Sequence, residues 1–208
     1  FQSDMTTTLY PGMRIKLTDS GTQYFIIHAV GAFSGGKTII TGYGGTDYNL
    51  TGGAITNPYY STLKAPAGFP LDPAKWTVEV TDTSDRVQAS PTAGTYYSPG
   101  NITISVPIGK WLFTYIVQPY GDKSPAGVIS TKTTIGVNTS TPLTEFITYN
   151  FWVSETQAGA TIFITNLLSV ASKTSYLLLL STTHTGLTDI GIYGPFVTSR
   201  MKVVSAYL

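Results

Sequence analysis

The sequence predicts an all-β protein in two parts, a small N-terminal β-barrel followed by a C-terminal β-sandwich. Three observations carry that expectation. Apolar and polar residues alternate with a period of two over many short segments. Glycine and proline punctuate those segments at short intervals. The one stretch where a helix is conceivable, residues 167–180, is rich in β-branched, Ser and Thr residues and reads better as a hairpin turning near Ser172-Lys173. The chain has 208 residues, 42% hydrophobic and 12% aromatic, enough for one large β core or two small ones.

The elements follow in order. Phe1-Gln2-Ser3 matches the end of a protease site used in expression vectors and is read as a cloning remnant, with Met5 as the natural start. No basic and apolar leader pattern follows Met5, so no signal peptide is expected, and residues 1–9 form an arm. Arg14-Ile15-Lys16-Leu17 alternates strictly, residues 24–30 read as a longer buried strand, and 37–41 follow a Gly-rich turn as its hairpin partner. Ala54-Ile55 and Tyr59-Tyr60 continue the series, so residues 10–63 are expected to form the barrel. Residues 64–75 hold Pro66, Pro70 and Pro73, which fix the backbone and deny ladder donors, so this segment is a connector. Its Phe69 and Leu71 suggest that it is packed.

Residues 76–208 form the second domain. Strands are expected at 76–80, 102–106, 110–117, 131–137, 148–153, 161–168, 176–180 and 201–206. In the third of these, Trp111, Phe113, Tyr115 and Val117 share one face. The spacing, with turns such as Pro107-Ile108-Gly109, suits a sandwich or jelly roll.

Composition narrows the function. Only 11% of residues are charged, against roughly a quarter in ordinary domains, so Thr, Ser, Asn, Gln and Tyr must supply the polar surface. Such a surface suits contact with protein or sugar. Net charge is +1 and the twelve basic residues are scattered, which argues against nucleic-acid binding. The absence of cysteine removes disulfides, thiolate nucleophiles and Cys-ligated metal. No apolar run approaches the roughly eighteen residues of a membrane helix, and no membrane insertion is expected.

Motifs with apparent chemistry have plainer readings. Gly31-Ala32-Phe33-Ser34-Gly35-Gly36-Lys37-Thr38 satisfies the Walker A pattern, but a phosphate loop needs a helix after it. Ile39-Ile40-Thr41-Gly42-Tyr43-Gly44-Gly45 will not form one, so the octet is a hairpin loop. His28 alternates with Ile26 and Val30 and reads as a core or barrel-facing imidazole with one hydrogen bond. His184, with Asp189 nearby, lacks a nucleophile elbow and reads as a loop residue. Glu79, Asp82 and Asp85 lack the alternating oxygen ligands and Gly turn of a calcium loop and read as solvated charges beside Arg86. No catalytic residue, metal or cofactor is expected, and the chain reads as a non-enzyme.

Three stretches carry a resemblance: Tyr43-Gly44-Gly45-Thr46-Asp47-Tyr48-Asn49-Leu50, Ile55-Thr56-Asn57-Pro58-Tyr59-Tyr60-Ser61 and Gly68-Phe69-Pro70. With Val106-Pro107-Ile108-Gly109-Lys110-Trp111 and the ending Lys202-Val203-Val204-Ser205-Ala206-Tyr207-Leu208, they resemble small tail and virion proteins of bacteriophages. The C-terminal half resembles the trimeric jelly-roll heads of phage receptor-binding proteins, distantly similar to the tumour-necrosis-factor fold. The resemblance implies a jelly roll, a homotrimer and a location in the virion after synthesis in the host cytoplasm. Its partners would be copies of itself, other virion proteins and a host surface glycan. The leading expectation is a tail-fibre or receptor-binding component, and the alternative is a capsid decoration or head-fibre protein. Loops on a rigid sandwich commonly carry recognition. Residues 120–131, 139–148 and 182–193 are the expected loops, and Tyr120, Tyr149, His184 and Tyr193 in or beside them are the candidate binding residues.

Overall fold

The computed structural model describes every residue except 46–48, 195, 196 and 208, with residues 126 and 152–158 described by backbone alone. Thr46-Asp47-Tyr48 and Leu208, part of the resemblance above, therefore lie outside the described residues. The protein is all-β. Its described strands form three antiparallel sheets, and the helical turns among the described residues are short 3-10 segments.

The first sheet contains β1 (Arg14–Thr18), β2 (Thr22–Val30), β3 (Ile40–Tyr43) and β4 (Thr56–Ser61) in the order β3-β2-β1-β4. Its edges are β3 and β4, and among the described residues no ladder joins them. Period-two alternation makes both faces apolar. Ile15, Leu17 and Ile27 on one face pack with Leu9 and Met13 into a small core. Ile26 and Tyr43, with Tyr24 against them, belong to the main core instead. Between β2 and β3 the Walker-like octet is a hairpin turn. Gly35 and Gly36 take φ of 57° and 74°, and Ser34 and Lys37 exchange backbone hydrogen bonds of 3.0 and 3.2 Å. No helix follows it.

His28 is partly buried. It lies at a register shift between Ile27 and Ala29, and its Nδ1 is buried without a hydrogen-bond partner. Burial, then the charge of Lys110, holds its pKa below the ordinary imidazole value.

The connector is packed, and aromatic rings do the packing. Phe69 stacks on Trp76 with centroids 5.3 Å apart and planes at 9°. The Trp76 indole donates to the Pro70 carbonyl at 2.9 Å, and Pro73–Trp76 forms one 3-10 turn capped by Asp72. Tyr43 meets Trp76 and Trp111 edge-on at 5.6 and 4.8 Å. Arg14, only 3% exposed, donates to the carbonyls of Gly12, Lys64 and Tyr207 and lies over the Phe69 ring. It thereby ties the first sheet to the connector and to the C-terminal end.

The remaining strands are β5 (Thr77–Asp82), β6 (Arg86–Ala89), β7 (Thr103–Val106), β8 (Gly109–Val117), β9 (Pro119–Gly136), β10 (Thr148–Ala158), β11 (Ile162–Val170), β12 (Thr174–Thr182), β13 (Leu187–Ile192) and β14 (Ser199–Ser205). One sheet has the order β11-β8-β14-β5, and the other β6-β13-β9-β12-β7, with β10 also on β9. Trp111, Phe113, Tyr115 and Val117 are all fully buried on one face of β8, as their spacing predicts. The Tyr115 hydroxyl donates to the Phe146 carbonyl at 2.8 Å, and burial pushes its pKa to about 12.

Three expectations need correction. Residues 120–131 are not a loop but the interior of β9, 18 residues long. Residues 182–193 contain β13, whereas 139–147 connect β9 to β10 and hold one 3-10 turn, Thr144–Phe146, with Phe146 fully buried. The chain at 172–173 is not a hairpin either, because β11 pairs with β8 while β12 pairs with β7 and β9, so it crosses between sheets. Gly, Thr and Asp obscure the alternation in the first two, and sheet membership in the third depends on distant partners.

The aromatic junction yields a measurable expectation. Trp76→Ala removes the largest shared side chain between connector and core and is expected to cost about 3–5 kcal/mol. Urea unfolding of the full chain measures that loss.

Candidate functional site

The start of β9 carries the best-formed polar site. Tyr120 stands opposite Gly191 of β13 in the ladder. A side chain on Gly191 would place Cβ 2.5 Å from the Tyr120 ring and 2.1 Å from the Arg86 carbonyl oxygen, so only glycine lets the ring lie here. Tyr193 follows β13 directly, its amide donating to the Gln118 carbonyl at 2.8 Å. The two tyrosine rings meet edge-on, 6.2 Å apart.

Two residues along each strand, Asp122 and Asp189 stand directly opposite one another. Like charges in that position repel across the ladder. Each has a buried Oδ1 with no hydrogen-bond partner among the described residues. Asp85 completes the group, its Oδ1 accepting from the Gly194 amide at 2.9 Å.

The electrostatics follow from this arrangement. Burial, and then the charges of Asp189, Asp122 and Asp85, push the Tyr120 phenol to about 12, so it remains a neutral donor. Burial first and Asp122 second raise the pKa of Asp189 above 3.8. An aromatic pair beside unsatisfied carboxylates can stack on the C–H face of a sugar and accept from its hydroxyls.

The structure thus brings together two of the four expected binding residues. Tyr149 is elsewhere, opposite Lys132 near the other end of β9, 55% exposed and stacked parallel to Phe151, with the Lys132 ammonium 5.4 Å from its ring centre. His184 lies in the turn after β12, where its amide donates to Thr182 Oγ1 at 3.1 Å. Sequence reasoning missed Asp122 and passed over Asp85 as a turn charge. The cross-strand register that gathers them is a property of the ladder. The other acids of that turn go elsewhere: Asp82 pairs with Arg86 at 2.8 Å, and Glu79 with Arg200 and Lys202 of β14. Among the described residues, no group of three or more His, Asp or Glu is placed to hold a metal ion.

Comparison with known proteins finds no family model that matches the chain and no curated protein similar to it in sequence.

The opposed carboxylates predict an inverted pH response. The folded pKa of Asp189 lies above its unfolded value, so its contribution to stability is fully present below pH 3.8 and is lost as pH rises through the folded value. Asp189→Asn is therefore expected to stabilise the protein at pH 7 by up to about 1 kcal/mol. The gain should vanish in thermal melts repeated below that pH.

Proposed function

We propose that this chain is a structural protein of a bacteriophage virion that binds a host surface glycan through its C-terminal domain, in a tail fibre or receptor-binding assembly. The observation that carries the reading is strand order. Setting β7 and β12 aside, the eight other strands of the two large sheets run first-eighth-third-sixth in one sheet and second-seventh-fourth-fifth in the other. That is the order of a jelly roll of two interlocked Greek keys, the architecture that the phage resemblance implies. In this reading the N-terminal sheet is a barrel left open between β3 and β4 that serves attachment, and the protein acts by binding, without catalysis.

The Tyr120–Tyr193 pair with its three carboxylates is the proposed glycan site. Full-length protein tests it best, because Tyr43 covers Trp76 and Trp111 and removing the first sheet would expose both rings. Tyr120→Ala combined with Tyr193→Ala should reduce adsorption to host cells about tenfold or more, the scale of a lost aromatic contact of 1–1.5 kcal/mol. Unchanged adsorption would remove the site. Docking on empty capsids without cell binding would mark a decoration protein instead.

A homotrimer fits the same reading. The outer face of β8 and β11 exposes Leu112, Phe163 and Leu167 at 43%, 65% and 64%, with Leu112 and Leu167 paired across the ladder. Closed cyclic association would cover them. Light scattering should give three protomers for the native chain and one for Leu167→Glu, and a native monomer mass would exclude the trimer.

A further inference from the structure

The first sheet has a second apolar face, and the N-terminal arm covers only part of it. The uncovered remainder is a groove of about 890 Å³ whose walls include Ile15, Leu17, Phe25, Ile27, Leu50 and Ile55. Such a volume and lining are those of a small-molecule site. Ile15, Leu17 and Ile27 form its floor, nearly inaccessible to water, while Leu50 and Ile55, about half exposed, stand on the chain between β3 and β4.

Charge in the groove is of one sign. Among the described residues Lys37 is the one charged side chain in its lining, and no described Asp or Glu lines it. Lys37 belongs to the Walker-like octet, and it makes no ion pair with any described residue. The Phe1 α-ammonium also reaches the groove and donates to the Thr38 carbonyl at 3.1 Å, a second cation that the experiment below separates from Lys37. An apolar channel with positive charge along its lining complements one kind of molecule.

We infer that this groove binds a single-chain anionic amphiphile of the fatty-acid class, its alkyl chain against Phe25, Ile39, Leu50 and Ile55 over the buried floor and its carboxylate at Lys37. The octet that imitates a nucleotide loop thus contributes its lysine to a carboxylate head. This site lies on the opposite side of the first sheet from the connector and does not depend on the glycan reading.

The test uses the full chain with dodecanoate, dodecanol and dodecyltrimethylammonium, each below its micelle concentration, in isothermal titration calorimetry. Dodecanoate should bind saturably at one site, about tenfold tighter than the alcohol, with the cationic chain weakest; tenfold is the scale of one charge-assisted contact. Ile55→Asp, at an exposed position, should abolish binding while leaving the thermal melt in place. Lys37→Glu should reverse the preference between dodecanoate and the cationic chain. The chain lacking Phe1-Gln2-Ser3 should keep the native preference. Absence of saturable binding overturns the inference, as does binding indifferent to both substitutions. A preference that disappears with residues 1–3 would assign the head group to the α-ammonium and overturn the role of Lys37.

Discussion

Four aromatic rings join the first sheet and the connector to the four-stranded sheet that holds β8. Tyr43 comes from the first sheet, Phe69 and Trp76 from the connector, and Trp111 from β8, and their rings meet in stacked and edge-on pairs between 4.8 and 5.6 Å. A four-stranded sheet of short strands has little interior of its own. Ile26 and Tyr43 instead join the core that the large sheets share, and the first sheet borrows stability from it. Arg14 reinforces the joint in a different way. Its buried guanidinium donates to three backbone carbonyls, one local (Gly12) and two from distant parts of the chain (Lys64 and Tyr207), so backbone dipoles help to hold its charge.

Within the six-stranded sheet, β9 is the organising strand. One of its edges carries β13 over its first residues and β12 over its last, while β10 runs along the other edge. This explains why the candidate site sits where it does. β9 and β13 meet at a register that opposes Asp122 to Asp189, an arrangement that costs stability in the ladder. Sites that break a local rule while the rest of the fold obeys it are where function is most often found. The surrounding glycine, Gly191, has the same character, since it gives up a side chain to let the Tyr120 ring lie against the strand.

The scarcity of charge acquires a second meaning in three dimensions. Some of the hydroxyl content is interior. Ser130, Thr131, Thr133, Thr134, Ser181 and Thr182 are at most 1% exposed, on β9 and β12. Meanwhile Phe151, Phe163 and Leu167 stand more than 60% exposed. Ladder hydrogen bonds satisfy the backbone of the buried Thr-rich strands, and Thr134 finds the Leu143 carbonyl at 2.7 Å. The apolar surface left outside is what an associating protein presents.

The sequence by itself determined the class of fold and the burial of its clearest strands. The period of two along 110–117 placed Trp111, Phe113, Tyr115 and Val117 inside, because alternation is a local property of an extended chain. Local chemistry also settled the Walker-like octet, since two glycines followed by isoleucines favour a turn and a strand over a helix. Only the tertiary structure decided which strand lies beside which. It turned 120–131 into strand, carried the chain at 172–173 from one sheet to the other, and separated Tyr149 and His184 from Tyr120 and Tyr193. It also gathered Asp85, Asp122 and Asp189 around one tyrosine and left a groove on the first sheet. Alternation tells each residue which face it takes, but the neighbour across the ladder is chosen by the packing of the whole core, and a site built across strands exists only once that choice is made.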